Sequence, residues 1–258
     1  MNRHYVLLFI ALFVPSISRT SAQIQLSLGI SGSTGSATYV TDYRNRDVSC
    51  VTYDVGRGPS YGAGLELLAH TNLGGGPGFI GMLSVGPRST NSAWEQPGDE
   101  LPSIDPANGE LVNSQIQHRL KFHAQGVSVQ LGGGVEIRNL SVMPLVRLTR
   151  HTSASTTASM HLIAPERATF DPTLIPGADL VDGGRSFILE TFDESRHNPL
   201  RIDAGLAVGY RSELSVLGSS VTSMLQLYGL TGVNSIHTHF NTVPLIDIGI
   251  KLYIGVGF

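Results

Sequence analysis

From Ile246 to Phe258 every second residue is apolar: Ile246, Ile248, Ile250, Leu252, Ile254, Val256 and Phe258. Between them lie Asp247, Gly249, Lys251, Tyr253, Gly255 and Gly257, a mostly polar or small set. A period of two sends successive side chains to opposite faces of an extended strand. The segment is therefore a long strand with one apolar face, and that face has to be covered.

The same alternation recurs upstream and predicts eight strands. They are Ile24 to Gly32, Ser60 to Thr71, Phe79 to about Pro87, Gln115 to Arg138, Leu140 to His151, Leu200 to Arg211, roughly Val216 to Leu230, and Thr242 to Phe258. In the sixth, Leu200, Ile202, Ala204, Leu206, Val208 and Tyr210 oppose Arg201, Asp203, Gly205, Ala207, Gly209 and Arg211. In the fourth the apolar set is even-numbered through Ile116, Leu120 and Phe122, then odd-numbered from Val127 through Val129, Leu131, Val135 and Ile137. An inserted residue changes parity in this way, which places a bulge at Gln125-Gly126.

Connections after strands two, four and six are short: Asn72 to Gly78, Arg138-Asn139 and Arg211 to Ser215. Those after one, three, five and seven are longer: Ser33 to Pro59, Arg88 to Ser114, Thr152 to Pro199 and Thr231 to Asn241. Short turns at one end and long loops at the other fit an all-β, eight-stranded, antiparallel up-and-down transmembrane barrel, with periplasmic turns and extracellular loops. A soluble lipocalin-like barrel binding a small apolar ligand also alternates, with its apolar residues inward. The glycines on the polar face (62, 64, 132, 134, 205, 209, 249, 255, 257) favour apolar-out, because they suit a crowded narrow interior.

The start of the chain reads as a secretory leader. Arg3 precedes ten apolar residues, Tyr5 to Val14, then Pro15 and small residues to Ala22. Residues 1–22 are expected to be removed, leaving 23–258 as one barrel domain in the outer membrane. The apolar run is too short to span a bilayer as a helix, which takes about 20 residues. Loss of Arg3 and Arg19 with the leader leaves 15 of the 17 basic residues against 20 acidic ones. Lysine occurs only at 121 and 251 and there is no basic run, which excludes a nucleic-acid binder. Cys50 is the single cysteine, so no internal disulfide forms.

A closing amphipathic strand that ends on an aromatic residue resembles the signal by which bacterial outer-membrane barrels are recognised by their assembly machinery. Lys251, Val256 and Phe258 fit that pattern, and Tyr253 stands where glycine is usual. The chain as a whole resembles the PorT-like outer-membrane β-barrels of Bacteroidetes-type bacteria. That resemblance is carried by Ser21-Ala22-Gln23, Leu28-Gly29-Ile30-Ser31-Gly32, Tyr61-Gly62-Ala63-Gly64-Leu65-Glu66-Leu67 and Asp247-Ile248-Gly249-Ile250-Lys251-Leu252. It implies fold and location, with outer-membrane lipid and the assembly machinery as partners. Members differ in role, some resembling parts of secretion or envelope assemblies, so no activity is implied.

Inside an eight-stranded barrel there is room for side chains and little else. The alternation points Glu66, Glu136, Arg147, Arg201, Asp203, Asp247 and Lys251 inward. Buried charges have to pair, so these are expected to form a salt-bridge network that plugs the lumen. No cofactor, metal or enzymatic activity is expected. A lipid-modifying hydrolase is the alternative, because His151-Thr152-Ser153 has the His-x-Ser form of one lipid A deacylase family. His237-Thr238-His239 puts two imidazoles on one face of an extended segment, half a metal site in form. Without a recognisable third ligand it reads as a solvated loop pair. Specific function is expected in loops 88–114 and 152–199, as a surface for a protein partner, with Phe187, Leu189 and Thr191 extending the barrel as a hairpin.

Overall fold

In a computed structural model the described residues are 23–43, 53, 55–72, 77–171, 173, 179–216 and 218–258. The expected leader 1–22, Cys50 and Gly74 to Gly76 lie outside them. The strands are β1 (Gln23–Thr41), β2 (Val55–Asn72), β3 (Gly78–Ile104), β4 (Leu111–Ile137), β5 (Leu140–Ala164), β6 (Asp179–Val181), β7 (Ser186–Phe192), β8 (Leu200–Val216), β9 (Ser219–Gly232) and β10 (Thr242–Gly257). Eight of them close a ring in the order β4-β3-β2-β1-β10-β9-β8-β5, with β5 pairing back to β4. Every neighbour in the ring is antiparallel. This is the eight-stranded, outer-membrane-type barrel that the alternation implies.

The strands run much further than expected. β3 and β4 have 27 residues each and β5 has 25, where crossing a bilayer takes about 9–11. The expected loop 88–114 is therefore corrected. It is the upper half of the β3–β4 hairpin, turning at 105–110, with pairs continuing to Ile104 and Leu111. The expected loop 152–199 likewise begins as the upper half of β5. Beyond it, β7 pairs with β5 from Ser186 to Phe192 and so forms the extension expected around Phe187.

Two halves of opposite polarity share these strands. In the lower half Leu28, Leu65, Leu131, Leu206, Leu227, Ile250 and Ile254 point outward, each about half or more exposed. A continuous girdle of such residues is far more apolar surface than a water-soluble exterior carries. In the upper half the outward positions include Ser36, Arg57, Asn91, Glu95, Arg119, Lys121, Ser155 and Thr157, with Val40 and Val55 the apolar exceptions, while Tyr39, Trp94, Leu120, Phe122, Ala154 and Ala158 fill the inside.

β4 shows why the sequence misleads. Its even-numbered residues are the inward set both above and below Gly126, so β4 carries no inserted residue. What changes at Gln125-Gly126 is the solvent outside, which turns from water to hydrocarbon and moves the apolar residues to the other face. The ladder does slip there, because Gln125 pairs with Ser153 and Gly126 with His151. The extra residue is Thr152, so the bulge belongs to β5, whose inward set changes from odd to even across it.

Candidate functional site

The lower lumen holds three charged tiers. In the uppermost, Arg88 on β3 donates from Nη2 to Asp247 Oδ2 at 2.5 Å and to Ser60 Oγ at 3.1 Å. Ser60 Oγ donates to Asp247 Oδ1 at 2.9 Å. Arg147 Nη2 bridges Asp247 Oδ2 at 2.5 Å and Asp203 Oδ2 at 2.8 Å. Arg201 donates to Asp203 Oδ1 at 2.8 Å and to the Tyr39 hydroxyl at 2.8 Å. Arg147 and Asp203 are opposite neighbours on β5 and β8. Arg88 and Asp247 come from β3 and β10, strands that are not adjacent in the ring, and tie its walls together.

In the middle tier Lys251 Nζ lies 2.5 Å from Glu66 Oε2 and donates to Gln130 Oε1 at 3.4 Å. In the lowest, Arg211 Nη2 reaches Glu136 Oε1 at 2.5 Å and a second guanidinium nitrogen pairs with Glu213. His70 Nε2 lies 3.1 Å from the same Glu213 oxygen. Leu68, Met82, Met143, Leu145, Met224 and Tyr253 fill the space between tiers, and Tyr253 donates from its hydroxyl to Ser27 Oγ at 2.9 Å.

All seven charged residues expected inside lie in these tiers: Glu66, Glu136, Arg147, Arg201, Asp203, Asp247 and Lys251. Arg88 and Glu213 were missed, and Arg211, although on the polar face of the sixth strand, was left out of the network. With them, five cations meet five carboxylates among the described residues. Arg88 was hidden by ending the third strand at Pro87, and Glu213 by ending the sixth at Arg211. The signal that could have found them is the imbalance itself, since four acids against three bases in a closed lumen leaves a charge without a partner.

Tight backbone approach makes room for this filling. A Cβ on Gly249 would collide with the Tyr228 hydroxyl, and one on Gly56 would run into the indole of Trp94. Of the expected assembly residues, Val256 and Phe258 are exposed on the outer face, whereas Lys251 is buried in the lumen.

Above the tiers the mouth is closed by aromatic packing. The rings of Tyr39 and Phe122 meet edge to face at 5.8 Å, and Tyr43, Phe192 and Phe240 pack alongside. Thr156, fully buried, sits between His197 Nε2 at 3.0 Å and His237 Nε2 at 3.3 Å. His197 Nδ1 lies 2.6 Å from the Asp193 carbonyl, so it carries the proton and its Nε2 accepts from Thr156. His237 then donates from Nε2 to the same hydroxyl. Burial pushes His237 down to about 3, aided by the charges of His197 and His239. Burial also lowers His197.

The expected solvated pair of His237 and His239 is corrected at its first member: His237 is buried and turns inward to His197, with ring centroids 4.4 Å apart. His151 and Ser153 flank the bulge at Thr152. No hydrogen bond joins them among the described residues.

No family model matches the chain, and no curated protein does. Solved structures do. The attachment invasion locus protein Ail of Yersinia pestis is similar at 13% identity and a TM-score of 0.28 in its complex with the heparin analogue sucrose octasulfate, covering 92% of this chain and 99% of Ail. A second Ail structure gives 11% and 0.30, covering 91% and 98%. The outer membrane protease OmpT of Escherichia coli gives 8% and 0.27, covering 95% and 97%. Scores this low transfer no role to this chain. The expectation that it is not an enzyme is corrected: an outer membrane protease stands among the structures the chain is similar to.

Proposed function

We propose that the protein is an integral outer-membrane barrel whose charged lumen is a closed, rigid support and whose working surface is the extension beyond the membrane. The polarity inversion along β2 to β5 carries this reading. An apolar girdle around a charged lumen is stable only where lipid surrounds it, and the polar-out upper half needs water. Arg147 and Tyr253, each 2% exposed or less, help to fill the section that a conducting pore would need open.

The role that fits is interaction at the cell surface, through the β3–β4 hairpin and the β5–β7 sheet, with membership of a PorT-like envelope or secretion assembly as the finer reading. Motifs such as Tyr61-Gly62-Ala63-Gly64 support that finer reading. The outward Val256 and Phe258 suit capture of β10 by the barrel assembly machinery. Mobility of the extracted protein in SDS gels, with and without boiling, tests the membrane part. A heat-dependent shift is expected, and its absence with the protein in the periplasm overturns the reading. Large, stable conductance steps in planar bilayers overturn the closed lumen.

A further inference from the structure

Outward side chains above the girdle are mostly polar, with Val40 and Val55 as exceptions, and on one side they are also cationic. A concavity of about 560 Å3 lies there, lined among others by Arg57, Arg119, Lys121, Ala93 and Thr157. The register builds it. Arg57 pairs with Ala93, Ala93 with Lys121 and Lys121 with Thr157, so one row runs cation, methyl, cation, hydroxyl across β2 to β5. Two strand spacings put the Arg57 and Lys121 backbones about 10 Å apart over a small residue. Neither cation has an ion-pair partner among the described residues, while Arg119 shares Glu95 at 3.3 Å. Asp182 also lines the hollow, and its carboxylate accepts from Ser186 at 2.8 Å.

Below it on the same strands is a second outward groove of about 490 Å3, lined by Tyr61, Ala63, Pro87 and Val127 among others. Those four residues belong to the girdle. Arg57 stands four residues beyond Tyr61 on β2, roughly 13 Å along the strand. A lipid-level apolar groove beneath a pair of unneutralised cations is complementary to an amphiphile with an acyl chain and an anionic head. The upper hollow is much larger than one phosphate, and its hydroxyl and amide lining from Ser155, Thr157 and Asn91 suits a sugar ring.

We propose that this face of β2–β5 holds a phosphorylated glycolipid of the outer leaflet, with a phosphate between Arg57 and Lys121 and an acyl chain in the groove below. The inference rests on the membrane reading above. To test it, the full chain is refolded in zwitterionic detergent, shown to be heat-modifiable on gels, and titrated with diphosphoryl lipid A under native mass spectrometry.

One retained lipid is expected. Combining Arg57→Ala with Lys121→Ala should weaken retention by at least about tenfold, the value of one lost charge-assisted contact. Enzymatic removal of the lipid's phosphates should weaken it equally in the unsubstituted protein. Retention insensitive to both changes overturns the proposal, as does equal retention of phosphatidylglycerol. A chain that shows no gel shift at all fails the membrane reading instead, which separates the two.

Discussion

The lower and upper halves of β4 have one backbone geometry and opposite chemistry. Below Gly126 the strand shows Val127, Val129, Leu131, Val135 and Ile137 to the outside and turns glycines and Glu136 inward. Above it, Gln117, Arg119, Lys121 and His123 face out while Ile116, Leu120 and Phe122 are buried. The apolar face follows whichever side lacks water. Below, hydrocarbon is outside and the lumen is held by ion pairs. Above, water is outside and the same barrel is held by an ordinary packed core. The transmembrane and lipocalin-like readings of the alternation thus each describe one height of a single molecule.

The largest effect is expected where the lower half depends on charge. Asp247→Ala leaves Arg88 and Arg147 short of a carboxylate deep in the lumen and should cost about 3–5 kcal/mol in unfolding from detergent or bilayers. A cost near zero would mean that water reaches the tier. Next, Ile250→Arg on the girdle should cost about 2–4 kcal/mol, measured in the same way in bilayers.

The upper half carries its own signature in pH. His237 stays neutral down to about 3, while an unfolded histidine takes up its proton near 6.5. Between those values the unfolded chain binds more protons, so stability is full above about pH 6.5 and falls as pH drops toward 3. The loss should reach about 3 kcal/mol by pH 4.5, read from the fluorescence of Trp94, the single tryptophan, buried at the mouth. His237→Phe should flatten that dependence. The smallest effect belongs to Thr157→Arg, outward on β5 above the girdle, which should stay within about 0.5 kcal/mol. Equal costs for this change and Ile250→Arg would erase the difference between the halves.

Ring closure, strand number and the inward direction of Glu66, Asp203 and Asp247 were all legible, because alternation reports faces regardless of what lies outside. Strand length was not. Arg88, Thr90, Ser92 and Trp94 face inward with only Trp94 apolar and large, so β3 reads as a loop once lipid no longer demands aliphatic residues. The apparent parity change on β4 shares that cause. A pattern keyed to apolar residues treats a change of solvent as a change of register. The convergence of Thr156, His197 and His237 left no local trace, since it depends on β5 and two outer connections folding over one mouth.

The claim that the membrane ends between Val127 and His123 is tested most directly by spin labels at outward sites of β4. In a Cys50→Ser background, single cysteines at 131, 129, 127, 123, 121 and 119 are labelled, and the protein is placed in lipid vesicles. Collision with oxygen should dominate at 131, 129 and 127, and collision with a water-soluble nickel complex at 123, 121 and 119. Uniform access of the nickel complex along the whole strand would contradict the inversion and return the molecule to water.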